Sequence, residues 1–388
     1  MRDQLIYSVQ RNFKDIYRTR PASLVVSPGR VNLIGDHTDY HLGYVFPAAI
    51  DLAIYIAISP ADSEKCTIYS LEKRQTIEFT MESKPEKGHW INYILGVVQK
   101  LWKKYPEKVK GIKAAMSGEI PQGAGLSSSA AITCGFAVAI DKIFELGMER
   151  RDLAKIAQEV EHEYVNVKCG LMDQYACLFG KEHHGFLLDC EAYDLQHMRI
   201  EDGEYSWILI DSMVQHELAD SAYNDRRNES QAALDYLRSK NADIRTYKDV
   251  NRDLLLAYKE KLDPVLFRRA SHVVAENLRV QKVFFALSQN DLETVGEQLD
   301  LSHRSLKESY EVTCHETDYI AETMSLMPGV LGARQMGGGF GGCIISLVDN
   351  AYLSEITDRI QEAYAAKFSQ AARLIKVKFS DGCRILSP

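Results

Sequence analysis

The densest group of hydrogen-bonding side chains in the 388-residue sequence lies in GRVNLIGDHTDY, residues 29–40. This segment places Arg30, Asp36, His37 and Asp39 directly after a strand-like apolar run. Such a concentration of polar groups beside a rigid strand needs a reason beyond folding. The other motifs of the chain indicate what that reason is.

A proline- and glycine-containing loop that ends in three serines follows at residues 118–131, GEIPQGAGLSSSAA. The start of a helix carries unpaired N–H groups and partial positive charge, and glycines let the backbone approach an anion. This combination favours a phosphate site, although a serine N-cap on a packed helix is the alternative. No GK[ST] follows, so the loop is not a Walker A motif. The predicted phosphate-binding residues are Gly123, Ala124, Gly125, Leu126, Ser127, Ser128 and Ser129.

A second glycine run, GGGFGG at residues 337–342, formally matches the dinucleotide-binding fingerprint. That fingerprint requires a helix after the glycines, whereas the β-patterned segment CIISLV follows here. We therefore do not expect a nicotinamide cofactor. The glycines predict a loop that passes close to other main chain and could close over the phosphate loop, with a plain tight turn as the alternative.

Two positions carry groups suited to phosphoryl transfer. Asp173 lies in the largely apolar segment CGLMDQYA, where a partly buried carboxylate needs a positive partner, and Arg30 is the candidate. Phosphoryl transfer needs a group that accepts the proton of the acceptor hydroxyl, and cationic charge near the transferred group. The pair would meet both needs, although Asp173 could instead cap a helix.

An acidic cluster, QEVEHEY, precedes Asp173 and contains Glu159, Glu161 and Glu163. Magnesium prefers few carboxylates combined with phosphate oxygens and water. One glutamate on the inward face of a helix could therefore hold Mg²⁺ together with a serine hydroxyl. The alternative is a solvated acidic face.

Composition limits the partners and the compartment. The net charge of -8 and the lack of a long Lys/Arg run argue against nucleic acid as a partner. Eight cysteines without a CxxC pair argue against zinc and suit a cytoplasmic protein. The uncharged stretch 121–140 begins with Gly, Ser, Gln and Pro, which is a poor match to a membrane span. We expect a cytoplasmic monomer that does not bind membranes.

The elements that must position these groups mix strands and helices without strict alternation, which predicts an α+β fold. The length predicts two domains, and a change of composition places them at 1–200 and 201–388. We expect strands at 23–27, 44–60, 65–78 as a hairpin, 111–117, 185–189, 207–211 and 374–379. We expect helices at the N-terminus, at 92–103, from 129, at 151–164, over most of 251–309 and at 353–368.

The three motifs, in this order, resemble those of the GHMP small-molecule kinases. GRVNLIGDHTDY looks like the sugar motif of galactokinases, GAGLSSSAA their nucleotide motif, and GGGFGGC their third motif. The segments 216–227, 267–280 and 301–314 also read like galactokinase segments. The resemblance therefore spans nearly the whole chain.

This resemblance implies a two-domain GHMP kinase fold with mixed sheets and the active site in the interdomain cleft. It also implies transfer of the γ-phosphoryl group of ATP to the C1 hydroxyl of α-D-galactose, which gives galactose 1-phosphate. By position, Asp173 would be the base, and Arg30 would keep that carboxylate ionised. Ser129 and Glu161 would bind Mg²⁺, and the loop 123–129 would wrap the phosphates.

The resemblance also implies which residues bind the sugar. Asp36, His37 and Asp39 would hydrogen-bond sugar hydroxyls, Gly170 would lie close by, and Tyr223 would close on the sugar from the second domain. Sugar hydroxyls both donate and accept hydrogen bonds. A site with fixed polar partners discriminates between epimers, because the wrong epimer leaves some of those partners without a hydrogen bond. This accounts for the dense polar segment after the first strand.

The chain departs from the galactokinase pattern at one position. Galactokinases usually carry GEHTDY, but Asp36 stands where a glutamate is expected to reach the C6 hydroxyl. The missing methylene withdraws the carboxylate by about 1.5 Å. A water could bridge that gap, or the pocket could suit arabinose or a C6-modified galactose. We expect galactose as the substrate.

A non-catalytic protein is the remaining alternative. Some relatives of galactokinases bind sugar and ATP, regulate transcription and have lost catalysis, and these typically lack part of the SSSAA segment. In this chain residues 127–131 are complete, and both Arg30 and Asp173 are present. The sequence therefore favours an enzyme over a sugar sensor.

Overall fold

The computed structural model of the protein describes residues 2–121, 123–200, 203–215 and 219–386. The helices are α1 (Arg2–Tyr17), α2 (Ile91–Lys104), α3 (Ser128–Ile143), α4 (Arg150–Val160), α5 (Met172–Phe179), α6 (Ala219–Lys240), α7 (Arg252–Leu256), α8 (Pro264–Ser288), α9 (Leu292–Ser305), α10 (His315–Ser325) and α11 (Leu353–Phe368). The strands are β1 (Ser23–Ile34), β2 (Tyr44–Pro60), β3 (Cys66–Ser70), β4 (Gln75–Phe79), β5 (Ile112–Gly118), β6 (His184–Asp189), β7 (Asp194–Arg199), β8 (Tyr205–Gln215), β9 (Val330–Gln335), β10 (Gly341–Asp349), β11 (Arg373–Lys376) and β12 (Arg384–Leu386).

The larger sheet carries the strand that leads into the polar segment. Its order is β12-β1-β2-β5-β3-β4, with β6 paired to β2 and β7 paired to β6. All pairs are antiparallel except β3 with β5. Every residue of β1 is buried, because α1 packs against Leu24 and Val26 on one face while Val25 faces the main core on the other.

The smaller sheet is antiparallel and has the order β11-β8-β10-β9. Ile208 and Ile210 of β8 pack with Ile320 of α10 and Ile360 of α11. Leu209, which lies between them on β8, packs in the core that also contains Val25 and Val31 of the larger sheet. The period-two alternation of β8 thus joins the two sheets through one continuous apolar core.

The chain changes from the larger to the smaller sheet between β7 and β8, beside residues 201–202, which lie outside the described residues. The last strand, β12, returns to pair with β1. The domain boundary at residue 200 remains a prediction. Strand β12 lies after that boundary in the chain but pairs with β1 before it.

Several elements differ from the sequence-based expectation. The helix expected over 151–164 ends at Val160 and continues as a π-helical turn, Glu161–Val165. The region 251–309 is mostly helical, as expected, and is divided into α7, α8 and α9. Helix α6 was not predicted, and part of the segment 216–227 lies outside the described residues. Within the described part of the chain, no helix is long and apolar enough to span a membrane.

Candidate active site

Arg30 on β1 and Asp173 in the first turn of α5 form a bidentate ion pair. Arg30 Nε donates to Asp173 Oδ1 at 2.8 Å, and Nη2 donates to Oδ2 at 3.1 Å. Burial alone would lower the pKa of Arg30, but the charge of Asp173 and its hydrogen bonds outweigh this and raise that pKa. The N-cap of α5 is Leu171. The contacts of the Asp173 carboxylate therefore fit a fixed anion and not a helix cap.

Ser127 occupies the N-cap position of α3 but makes no side-chain capping hydrogen bond. Its backbone is left-handed, with φ of 56°, and its hydroxyl donates to the Asp173 carboxylate. Arg30 also donates to the carbonyl of Gly125 in the same loop. Ser127 therefore does not act as a side-chain cap of α3, because its hydroxyl donates to the Asp173 carboxylate instead.

The structure separates the three glutamates of the acidic cluster. Glu159 and Glu163 lie on the surface, and each accepts from Lys100 Nζ at 2.8 Å. Glu161 is buried at the start of the π-helical turn, where Ser129 Oγ donates to its Oε2 at 3.3 Å. The π-helical turn follows the regular helix and places this one carboxylate inward. The solvated-face alternative therefore holds for Glu159 and Glu163 only.

Glu161 and Ser129 suit a divalent cation in chemistry and position. Burial, followed by the charge of Asp173, raises the pKa of Glu161 to about 8. Gln174 Nε2 holds its second oxygen, Oε1, at 2.9 Å. A buried carboxylate beside a hydroxyl offers hard oxygen ligands to Mg²⁺, and a bound cation would offset the burial penalty of its charge.

The polar segment after β1 places Asp39 against Gly170. A Cβ on Gly170 would collide with the Asp39 carboxylate, so the absence of a side chain is required there. Asp39 Oδ1 accepts from the backbone N–H of Tyr40 at 2.9 Å. Burial, with a contribution from the nearby charge of Asp173, raises the pKa of Asp39 to about 7. The two predicted sugar-site residues are thus adjacent.

Asp36 has both carboxylate oxygens engaged within the protein. Arg334 Nη1 on β9 donates to Oδ2 at 2.6 Å, and Asn32 Nδ2 donates to Oδ1 at 2.6 Å. The side chain of Arg334 is 0% exposed and that of Asp36 is 3% exposed. A direct contact of Asp36 with a sugar C6 hydroxyl remains a prediction. The ion pair shows a further role, since it ties the polar segment to the strand before the second glycine run.

His37 and Tyr223 come together from opposite halves of the chain. Their ring centroids lie 5.5 Å apart, and His37 has a left-handed backbone with φ of 62°. The second glycine run lies against both Tyr223 and the phosphate loop. A Cβ on Gly338 would be 3.4 Å from Tyr223, and one on Gly337 would be 3.4 Å from the carbonyl oxygen of Gly125. The expected close passage of this loop over the phosphate loop is present.

One cavity of about 340 Å³ gathers most of the predicted site residues. Two predicted residues do not line this cavity: Gly170 packs against the Asp39 carboxylate, and Ala124 is fully buried in the phosphate loop. The predicted residues that line the cavity are Arg30, Asp36, His37, Asp39, Gly123, Gly125, Leu126, Ser127, Ser128, Ser129, Glu161, Asp173 and Tyr223.

A larger cavity of about 1010 Å³ adjoins the first at Gly123, Ser128 and Ser129. Trp90 lines this larger cavity, and its ring stacks on His89 with centroids 5.9 Å apart. Trp90 could not be identified as a lining residue from the sequence, since a single tryptophan before a helix carries no spacing signal. The two cavities meet at the start of α3, and the N-terminus of a helix is suited to bind an anion.

Three family models match the chain. The galactokinase galactose-binding signature matches residues 11–60, the GHMP kinases N terminal domain matches 92–181, and the GHMP kinases C terminal domain matches 284–366. Together they contain the polar segment, the phosphate loop, Asp173 and the second glycine run. The matched regions therefore include the main walls of the cavity.

The structure resembles Lactococcus lactis galactokinase complexed with galactose, with a TM-score of 0.93 and 32% identity, covering 98% of this chain and 100% of that chain. It also resembles a mevalonate kinase, with a TM-score of 0.65 and 18% identity, covering 92% of this chain and 99% of that chain. The second likeness shows a shared fold only.

Full-length sequence relatives agree with the structural comparison. Clostridium perfringens (strain 13 / Type A) galactokinase is 38% identical over 97% of this chain and 98% of its own length. Thermotoga maritima galactokinase is 38% identical over 92% of this chain and 98% of its own length. The chain belongs to the galactokinase family and has the two-domain α+β fold of the GHMP kinases.

Proposed function

We propose that the protein transfers the γ-phosphoryl group of ATP to the C1 hydroxyl of α-D-galactose. The observation that carries this proposal is the position of the Arg30–Asp173 pair. Both residues line the smaller cavity, and the pair contacts the phosphate loop at Gly125 and Ser127. One carboxylate can therefore meet an acceptor hydroxyl while the loop holds the phosphate donor.

The two cavities suggest how the substrates are placed. The smaller one, with His37, Asp39 and Tyr223 in its wall, has the polar lining that a sugar needs. The larger cavity, of about 1010 Å³, has room for a nucleotide, and Trp90 offers an aromatic surface for the base. The start of α3, shared by both, would hold the triphosphate.

Asp173 acts as the proton acceptor for the sugar hydroxyl in this proposal. The bidentate contact with Arg30 fixes the orientation of the carboxylate. The guanidinium also adds positive charge near the transferred group, where negative charge is spread over the phosphoryl oxygens. Ser127 restricts the carboxylate from a third direction.

Ser129 and Glu161 are the residues proposed to hold Mg²⁺. A cation bound there would neutralise charge on the phosphate oxygens of ATP. With a single protein carboxylate, the remaining ligands would be phosphate oxygens and water, as magnesium prefers. Binding of Mg²⁺ should therefore depend strongly on the presence of ATP.

A coupled ADP-release assay with several sugars tests the proposed activity. We expect galactose to give the highest kcat/KM, with glucose, its C4 epimer, far below it. Arabinose and 6-deoxygalactose test the role of Asp36. Saturable galactose binding without ADP release would contradict the proposal and support a sensor.

We also propose that the protein acts as a cytoplasmic monomer. All eight cysteines are free thiols, which suits a reducing compartment. Size-exclusion chromatography with light scattering should give a mass near 43.9 kDa. A mass of twice that value would contradict the monomer.

A further inference from the structure

The loop that joins β1 to β2, residues 35–43, lies against α8, a helix from the second half of the chain. Two glycines of this β1–β2 loop make the close approach possible. A Cβ on Gly35 would lie 2.9 Å from Val280 Cγ2, and one on Gly43 would collide with Asn277 Oδ1. At both glycines the backbone of the loop therefore packs directly against α8.

Glu276 of α8 accepts a hydrogen bond from the start of the loop. The residue is fully buried, and its Oε1 accepts from the backbone N–H of Gly35 at 3.0 Å. Ser302 Oγ donates to the same oxygen at 2.8 Å, and Arg279 Nε donates to Oε2 at 2.6 Å. Burial alone would raise the pKa of Glu276, but the positive charge of Arg279, with smaller contributions from other groups, lowers that pKa to about 2. The carboxylate is therefore ionised, and both of its oxygens accept.

His272 and Asn277, also buried in α8, hold two further backbone groups. His272 Nε2 lies 3.1 Å from the carbonyl oxygen of Asp36, which can only accept, so Nε2 is the donor. Burial lowers the pKa of His272 to about 3, so the ring is neutral and Nδ1 accepts from Ser305 Oγ at 2.9 Å. Asn277 Oδ1 accepts from the backbone N–H of Tyr44, the first residue of β2, at 2.8 Å.

The backbone groups that α8 holds lie on both sides of the side chains assigned to the sugar. Gly35 and Asp36 precede His37 and Asp39 in the chain, and Tyr44 follows them. A buried N–H or C=O group needs a hydrogen-bond partner, and here the partners are side chains of one helix. The path of the β1–β2 loop past these points therefore depends on α8.

We propose that α8 positions the sugar-binding side chains by holding the backbone of the β1–β2 loop on either side of His37 and Asp39. His272, Glu276 and Asn277 are positioning residues, because none of these three described side chains lines either of the two cavities. The inference rests on the proposed function for the identity of the sugar. Displacement of this loop weakens sugar binding more than ATP binding, because the contacts do not involve the phosphate loop.

Hydrogen exchange, measured by mass spectrometry, tests the contacts in the ligand-free protein. Glu276→Met removes the acceptor of the Gly35 N–H, whereas Glu276→Gln keeps an acceptor oxygen, and both variants lose the charge that pairs with Arg279. We expect peptides covering residues 35–44 to exchange about ten-fold faster in Glu276→Met than in Glu276→Gln. Equal exchange in the two variants would overturn the proposal. This readout stands even if the protein does not phosphorylate galactose.

A second pair of variants changes no charge. The side-chain amide of His272→Gln can donate to the carbonyl of Asp36 as the ring Nε2 does, whereas His272→Met cannot, and both variants lose the contact with Ser305. We expect the KM for galactose to be about ten-fold higher in His272→Met than in His272→Gln, with similar kcat and an unchanged Kd for ATP. Equal KM values would overturn the proposal. The expected exchange result in a protein inactive on galactose would contradict the proposed function alone.

Ser271→Ala is the matched control on the same helix. Ser271 Oγ donates within α8 to the carbonyl of Phe267 at 2.7 Å, so the variant removes a hydrogen bond that does not reach the β1–β2 loop. We expect unchanged exchange in residues 35–44 and an unchanged KM for galactose. Equal effects of Ser271→Ala and His272→Met would show that general loosening of α8 governs sugar binding, which would overturn the assignment of individual positioning residues.

Discussion

The Asp39 carboxyl group is held in a place where its ionised form is unfavourable. Its carboxylate lies against Gly170 and near Asp173, and desolvation raises its pKa to about 7. The folded protein therefore takes up a proton at a pH where the unfolded chain, with an ordinary aspartate pKa near 4, does not. Free energy of unfolding contributed by this proton is greatest below about pH 4 and is lost as pH rises towards 7.

Asp39→Asn should remove this dependence, because an amide cannot ionise. We expect the melting temperature of the variant to match that of the wild type near pH 4. The variant should become progressively more stable than the wild type up to about pH 7, while its affinity for galactose falls. Calorimetry from pH 4 to 8 measures the difference.

The exposed residue Asp15 provides a control for that experiment. Its side chain is 63% exposed, so Asp15→Asn should show no comparable trend with pH. A stability difference between Asp39→Asn and the wild type that stays constant over the whole range would contradict the raised pKa.

Asp36 and Arg334 form a buried pair whose loss should be severe. Asp36→Asn would leave the Arg334 guanidinium buried without its carboxylate, and we expect a loss of about 3–5 kcal/mol in the free energy of unfolding. The exposed pair Arg359–Glu355 is the control, with side chains 50% and 58% exposed. Glu355→Gln should cost less than about 1 kcal/mol.

Urea denaturation of both variants checks this prediction. Equal, small losses would show that the Asp36–Arg334 pair contributes no more than a surface pair. The galactose KM of Asp36→Asn, measured where the variant is folded, would then separate a sugar contact from a structural role.

At the scale of elements, three segment ends meet at the site: the polar segment after β1, the start of α3 and the π-helical turn before α5. The first two could be predicted, because their glycines and polar residues lie in continuous motifs. The π-helical turn could not, since EHEYV continues the helical pattern of α4 and only tertiary packing brings Glu161 inward. Helix α6 was missed because, among its described side chains, the deeply buried apolar residues Ala233, Leu234 and Leu237 lie in its second half.

Gly170→Ala tests the close approach of two such elements. The added methyl group would collide with the Asp39 carboxylate, so either the segment before α5 or the polar segment must shift. We expect the KM for galactose to rise by about ten-fold or more, with the Kd for ATP nearly unchanged. Steady-state kinetics and calorimetry measure the two quantities.

Gly203→Ala is a matched control, because a Cβ at that exposed glycine has open space around it. It should leave both the galactose KM and the ATP affinity as in the wild type. A normal galactose KM in Gly170→Ala would show that the Asp39 carboxylate does not contribute to sugar binding in its observed position.

At the scale of the whole molecule, residues from both halves of the chain wall one cavity. Asp39 and Asp173 come from the first half, and Tyr223 and the second glycine run from the second. The sequence order of the motifs indicated this meeting only through the family resemblance, because no local pattern specifies which loops approach each other. The return of β12 to β1 was likewise beyond prediction, since three residues carry too little pattern to define a partner strand.

The transfer of phosphate from ATP to galactose in a single turnover, compared between the wild type and Asp173→Asn, tests the central claim most directly. Calorimetry should show that both proteins bind galactose and ATP with Kd values within a few-fold of each other. We predict that the variant transfers phosphate about 10²–10⁴-fold more slowly, because the amide cannot accept the proton of the C1 hydroxyl. Transfer at the wild-type rate in Asp173→Asn would contradict the account.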